Sequence, residues 1–187
     1  MYEDVFVKFP VLELDDLVLR EIGIADAPAF LDYVIDPQVN KYLSEEDIPK
    51  NLAEAERELK YWGDLFQNKR SIYWAIARKK DNKLIGTCGF NAWSRVHSRV
   101  EISYDLARSQ WNKGIMTKCV RSICDYAFLR LNANRIQATV AQDNIGSIKV
   151  LSKLGFKQEG ELREYGILHG VKKDFYMYSF ISKDLVF

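Results

Sequence analysis

The sequence predicts an α/β (α+β) fold in which a mixed sheet carries helices on both faces, all within a single domain over residues 1–187. Two observations predict it. Strand-like and helix-like periodicities alternate in the first and middle parts of the chain, whereas pairs of strand-like runs joined by short polar turns occur on either side of the middle segment. The first pattern calls for strand–helix units and the second for hairpins, so neither an all-parallel nor an all-antiparallel sheet accommodates both.

In order, Leu17 to Ile22 reads as the first strand, followed by a helix from Asp26, a candidate N-cap, to Ile35, closed by Asp36-Pro37. A second helix runs from about Asn51 to Phe66, with Leu52, Ala55, Leu59, Trp62 and Phe66 on one face and charges on the other. Ser71 to Ala77 and Lys83 to Phe90 read as a hairpin through the polar turn Lys80-Asp81-Asn82-Lys83, and Asn91 to Arg99 turns the chain again. The run from Arg99 to Arg108 alternates as a strand, and a helix to Leu131 places Ile115, Met116, Cys119, Val120, Ile123, Ala127, Phe128 and Leu131 at helical spacing. Arg135 to Val140 reads as a strand and Ser147 to Leu154 as a helix stopping at Gly155, the residue type that best supplies a left-handed C′ position. Phe156 to Ile167 and Val171 to Ile181 form a last hairpin through Leu168-His169-Gly170.

Composition excludes several function classes. The 187 residues carry a net charge of +1, too balanced for a nucleic-acid backbone to be the expected partner. No apolar run reaches the roughly 20 residues that span a bilayer, and the start Met-Tyr-Glu-Asp-Val lacks the basic n-region of a secretory signal, so a cytoplasmic protein without a membrane partner is expected. Cys88, Cys119 and Cys124 sit in apolar settings without Cys-x-x-Cys or Cys/His spacing; they are expected to pack, with no disulfide framework and no metal. Lys113-Gly114 reverses the order of a Walker loop, and Gly-x-x-x-x-Gly-Lys-[Ser/Thr] is absent.

The stretch Arg108-Ser-Gln-Trp-Asn-Lys-Gly-Ile-Met-Thr117 carries the strongest chemical signal. A loop without acidic residues runs straight into a helix, whose first turn presents unpaired N–H groups and the positive end of its dipole. That is an anion seat, with phosphate the usual guest. Gly114 lets a ligand approach the backbone closely, and Asn112 tolerates a left-handed conformation.

With Trp111-Asn-Lys-Gly-Ile-Met-Thr117 opening one helix, and Asn144-Ile-Gly-Ser147 and Lys153-Leu-Gly-Phe156 opening and closing the next, the chain resembles the GNAT acetyltransferases over nearly its whole length. Leu17-Val-Leu-Arg20, Leu84-Ile-Gly-Thr87, Val100-Glu-Ile-Ser-Tyr104 and Gly160-Glu-Leu-Arg163 resemble the branch that includes the RimJ- and RimL-type ribosomal-protein N-terminal acetyltransferases. The resemblance implies a twisted, mostly antiparallel sheet and acetyl-CoA as co-substrate. It places the coenzyme diphosphate on the amides of Asn112, Lys113, Gly114, Ile115, Met116 and Thr117, counts Trp111 among the cofactor-binding residues, and runs the pantetheine arm along the backbone of Tyr104 and Leu106, with Asn144 and Ser147 beside that arm. Trp111 and Met116 depart from the family's usual Gln or Arg and Gly or Ala, changes that backbone contacts survive.

By the same resemblance the amine attacks the thioester directly. An α-amine has pKa about 7.7 to 8.0 and a lysine about 10.4, so a lysine costs about 3.5 kcal/mol more to deprotonate near neutrality. A weak base suffices for an N-terminus, and Glu101 is the candidate, the alternative being a carboxylate paired with Arg99 or Arg135. Ser147 is the candidate donor to the departing sulfur, the alternative being a helix cap; Tyr165 is a second candidate acid, the alternative being core packing. RimL-type enzymes resemble this chain less where Glu164-Tyr165-Gly166 stands. Residues 39–50, with Glu45-Glu46-Asp47, are the expected acceptor wall, and Tyr42 and Trp93, expected in loops, the aromatics to test; His97 and His169 fall in turns and receive no role. The leading function is acetylation of a protein N-terminal amine by a monomer or homodimer. Acetylation of a small amine such as a polyamine, amino acid or aminoglycoside, and a non-catalytic acyl-CoA-binding module, are the alternatives.

Overall fold

The computed structural model describes residues 5–184. Its strands, β1 (Leu12–Glu13), β2 (Leu17–Glu21), β3 (Tyr73–Arg78), β4 (Leu84–Ser94), β5 (Arg99–Leu106), β6 (Arg135–Ala141), β7 (Lys157–Leu168) and β8 (Val171–Ile181), form one sheet in the order β1-β2-β3-β4-β5-β6-β8-β7. Of the seven pairings only β5–β6 is parallel. The helices are α1 (Ala27–Val34), α2 (Pro37–Asn40), α3 (Leu52–Gln67), α4 (Ile115–Arg130) and α5 (Ile145–Lys153).

Alternation along each strand feeds two cores. Val100, Ile102 and Leu106 of β5 and Ile136, Ala138 and Val140 of β6 pack against α4, where Cys119, Val120 and Ile123 are fully buried. On the opposite face Phe30, Tyr33 and Val34 of α1 and Ala55 and Leu59 of α3 form the second core with Ala75 of β3. All three cysteines are buried free thiols, as their apolar settings predict.

Most elements lie where the sequence places them, with informative departures. Asp26 stands at the N-cap of α1 but makes no capping bond; its carboxylate instead holds Arg20 through two bonds of 2.7 and 2.8 Å and accepts from the Gly23 N–H. Asp36-Pro37, expected to end a helix, starts another: Asp36 Oδ1 caps the Gln38 N–H at 2.8 Å and Pro37 opens α2. Asn51 caps α3 through the Glu54 N–H at 3.0 Å, while Glu54 accepts from the Lys50 N–H. β4 does not stop at Phe90. A bulge at Asn91 lets it run to Ser94, and the shifted register turns Trp93 toward the larger core, where its ring stacks on Phe6 with centroids 5.6 Å apart. Trp93 is thus a packed strand residue, not a loop aromatic. Gly155 has φ 86 as the C′ residue after α5, and His169 and Gly170, with φ 49 and 74, make the tight turn between β7 and β8.

Candidate active site

β5 and β6 pair only through Arg99–Glu101 and Arg135–Gln137. Beyond Glu101 the two strands part, so one side of Ile102–Leu106 faces a gap in the sheet, while its other side remains paired to β4. The C-terminal ends of both strands lead to helix starts, α4 after β5 and α5 after β6.

At the head of α4, none of the N–H groups from Asn112 to Thr117 has a hydrogen-bond partner among the described residues; the first helical bond is Lys118 N–H to Gly114 O. Two left-handed residues, Asn112 at φ 60 and Gly114 at φ 73, bend the loop so that this row of donors forms. The side chains of the loop point elsewhere. Met116 is buried in the core, Lys113 Nζ folds back on Ser109 O at 2.7 Å, and Trp111 Nε1 donates to Leu106 O at 2.8 Å, giving one carbonyl of the gap-lining strand an internal partner. Ile115 packs on the larger core, and Thr117 is half-buried.

Two polar groups flank the gap on opposite faces. On the α4–α5 face Tyr104 Oη and Ser147 Oγ lie 2.8 Å apart, and burial raises the Tyr104 phenol well above its ordinary pKa. Ser147 does not cap α5. Asn144 does, its Oδ1 accepting the Ser147 N–H at 3.1 Å, which leaves the Ser147 hydroxyl for Tyr104. On the other face Glu101, at the last paired position before the gap, accepts from Gln137 Nε2 at 2.9 Å and from Thr139 Oγ1 at 3.2 Å. Neither arginine weighed as its partner holds it: Arg135 forms a two-pronged pair with Glu159 at 2.6 and 2.9 Å. Tyr165 is not a core residue either, being 54% exposed on the edge strand β7 with its ring edge-on to Phe175.

Sequence reading missed the polar floor around Glu101. Asn91 Oδ1, in the β4 bulge, accepts from both the Tyr73 hydroxyl and Ser103 Oγ, and the Tyr73 and Ser103 hydroxyls are 2.7 Å apart. Next to them Asp105 accepts from the Tyr33 hydroxyl and from Thr87 through both its N–H and its hydroxyl, while burial pushes its carboxyl above the usual range. Ser103 and Asp105 alternate with apolar residues on β5, which is the one signal that placed them on the face of Glu101. The expected acceptor wall meets the loop after β6 and the β7–β8 turn: Tyr42 Oη donates to Asp143 O at 2.8 Å, Lys41 lies 3.4 Å from the Asp143 carboxylate, and His169 Nε2 meets Asn40 O at 3.1 Å. Among the described residues no group of three or more His, Cys, Asp or Glu is arranged to hold a metal ion. No helix among them is long and apolar enough to cross a membrane.

A family model described as an acetyltransferase (GNAT) domain matches residues 16–157, which hold β2 through α5 and the whole gap. The chain belongs to the GNAT acetyltransferases. It is similar to the uncharacterized N-acetyltransferase p20 of Bacillus licheniformis, 36% identical over 92% of this chain and 97% of that protein, and to the uncharacterized N-acetyltransferase YoaA of Bacillus subtilis, 35% identical over 93% and 98%. Among solved structures it resembles a ribosomal-protein-S5-alanine acetyltransferase from Vibrio fischeri, with TM-score 0.82 and 25% identity over 94% of this chain and 98% of that one. This GNAT chain is an acetyl-CoA-dependent N-acetyltransferase, and its sheet opens between β5 and β6 with polar groups on both faces of the gap.

Proposed function

We propose that the protein acetylates a protein N-terminal α-amine in a ternary complex, with acetyl-CoA threaded through the gap between β5 and β6. The observation that carries this reading is the division of labour across that gap, with Glu101 on one face and the Tyr104–Ser147 pair on the other. The diphosphate sits on the free amides of Asn112 to Thr117, where six donors and the α4 dipole favour negative charge without a metal. The pantetheine follows the exposed edge of Tyr104 to Leu106, and Asn144 fixes the start of α5 beside it.

In this scheme the amine enters from the α1–α3 face and Glu101 removes its proton, directly or through a water. Gln137 and Thr139 orient the carboxylate without neutralising it. The nitrogen attacks the thioester carbon, the C–S bond breaks, and the thiolate takes the proton of the Ser147 hydroxyl, which Tyr104 can replace from 2.8 Å. Ser147 rather than Tyr165 is given this part because Ser147 opens the helix beside the gap, whereas Tyr165 stands on the edge strand. An α-amine is the acceptor that a carboxylate base serves most readily, and the Vibrio fischeri neighbour's description names a ribosomal protein. Such an acceptor puts the work in the cytosol.

The test is transfer of labelled acetyl from acetyl-CoA to peptides with a free N-terminus, run beside the same peptides blocked at the N-terminus and bearing one lysine, and beside a polyamine. Label confined to the free N-termini is expected. Label on the polyamine or lysine alone would replace this reading with a small-amine or side-chain acceptor.

A further inference from the structure

At the C-terminal end of β6 the loop Gln142–Asp143 and the β7–β8 hairpin enclose an open cavity of about 820 Å³. That volume suits a ligand of several residues rather than a single ion. Asn144 and α5 follow directly from its rim, and Tyr42 reaches the same loop from the expected acceptor wall.

The cavity's charges are unevenly committed. Each carboxylate in its wall already has a partner: Glu164 pairs with Lys172 at 2.8 Å, Asp143 lies 3.4 Å from Lys41 and 3.9 Å from Lys173, and Asp174 accepts the Glu164 N–H at 2.6 Å. Two donors do not. Gln142 Nε2 is buried without a hydrogen-bond partner, and among the described residues the Arg163 guanidinium enters no hydrogen bond or ion pair. A buried donor left unmatched is destabilising, and a ligand acceptor that reaches it relieves the cost.

The backbone around Arg163 is also unusual. Between the pairs Leu162–Phe175 and Gly166–Lys173, three residues of β7 stand opposite the single residue Asp174. Glu164, in the middle, is held at φ 48, a left-handed conformation that a non-glycine residue adopts only under constraint. Its N–H bond to Asp174 locks it there. A bulge of this kind re-aims a strand's side chains, and here it sets Arg163 into the cavity wall.

We propose that this cavity is an acceptor subsite for a carboxylate, received by the two-pronged guanidinium of Arg163, with the Gln142 amide in the wall turning its unpaired Nε2 toward the ligand. The inference rests on the reading of the gap as the place of acetyl transfer and narrows its acceptor to amines that carry an acid group nearby. An acidic side chain close to a peptide N-terminus and the α-carboxylate of a free amino acid offer the same chemistry. Arg matches a carboxylate with two parallel N–H bonds, which a lysine does not reproduce.

The experiment measures binding to coenzyme A-saturated protein by calorimetry, using two tetrapeptide amides with N-terminal alanine followed by aspartate or by asparagine, and alanine against alaninamide. The aspartyl peptide is expected to bind at least tenfold more tightly than the asparaginyl one. Arg163→Gln should bring the aspartyl peptide down to the asparaginyl level, and Arg163→Lys should restore only part of the difference. A preference seen only for alanine over alaninamide, and lost in Arg163→Gln, supports the site and assigns it to a free amino acid. Equal binding within both pairs, a preference that survives Arg163→Gln, or no binding of any probe overturns the proposal. So does a fall in coenzyme affinity in Arg163→Gln, which would give the cavity to the coenzyme. Acetyl transfer measured in parallel separates the two readings, since a preference without transfer keeps the carboxylate site and removes the proposed function.

Discussion

Glu101 and Asp105 lie four residues apart on the same face of β5, and their surroundings give them opposite work. Glu101 is met by an amide and a hydroxyl at the edge of the gap, whereas the Asp105 carboxylate is enclosed by Tyr33 and Thr87. Glu101→Gln should therefore lower kcat by about 10²- to 10⁴-fold, the usual worth of a general base, with calorimetric affinity for acetyl-CoA retained. A variant that keeps full turnover would return Glu101 to a strand-holding role. Asp105 makes a pH prediction instead. Burial raises its folded-state pKa above the unfolded value, so its contribution to stability is fully present below the unfolded pKa and is lost as pH rises through the folded one. Asp105→Asn, which can still accept from Tyr33 and Thr87, should flatten this loss, seen as thermal midpoints that fall less between acid and neutral pH than in the parent. Glu159 runs the other way. The Arg135 guanidinium and then the Ser179 hydroxyl hold its carboxyl at about 2, so its contribution is present above the unfolded carboxylate pKa and disappears as pH falls toward 2.

At the scale of the element, the loop before α4 acts through its main chain, which is why substitutions along it should differ so much in effect. Gly114 has open space where a Cβ would go, yet its φ of 73 is costly for any other residue. Gly114→Ala should cost roughly 1–2 kcal/mol from backbone strain alone. For a chain of this length that is a fall of about 2–8 °C in Tm, measured by calorimetry, with a weaker coenzyme affinity beside it. Lys113→Ala, removing a side chain that folds back onto Ser109 and Gln110, should leave the amides in place and change coenzyme affinity far less. This loop was legible in the sequence because its signal is local: no acid, a glycine that lets a ligand come close to the backbone, and a helix that begins at once. The Asn91 bulge was not. One extra residue shifts the period-2 alternation by one, so a reader of periodicity ends β4 at Phe90 and makes a loop of what is strand. The Tyr104–Ser147 contact spans 43 positions, and the bond from Tyr33 to Asp105 spans 72. Single-sequence spacing carries no trace of such pairs; it was the family resemblance that implied a place for Ser147 beside the coenzyme.

At the scale of the whole molecule, seven strand pairings hold the sheet, but they are not equal. Six are antiparallel, and the parallel one engages three residues on each side, with the Asn134 and Arg135 N–H groups on Ser98 O, at 2.6 and 3.1 Å, tying the start of β6 to the turn before β5. The blocks β1–β5 and β6–β8 are each continuous, so the fold order could be read from sequence as hairpins and strand–helix units, while the short seam between them could not. Coenzyme bound across that seam, as proposed, would contact both blocks, and at a hundredfold excess over Kd it is expected to stabilise the protein by about 2.7 kcal/mol by mass action alone. That corresponds to a rise of about 5–11 °C in Tm, and a rise under 2 °C would argue against specific binding of the coenzyme to the folded chain. The brevity of the seam has a mechanical consequence as well. Past the last of its bonds the open edge of β5 is held by packing and not by a neighbouring strand, and amide hydrogens of Ile102 to Leu106 on that side should exchange with solvent faster than their neighbours in β4, until a bound cofactor covers them and slows them.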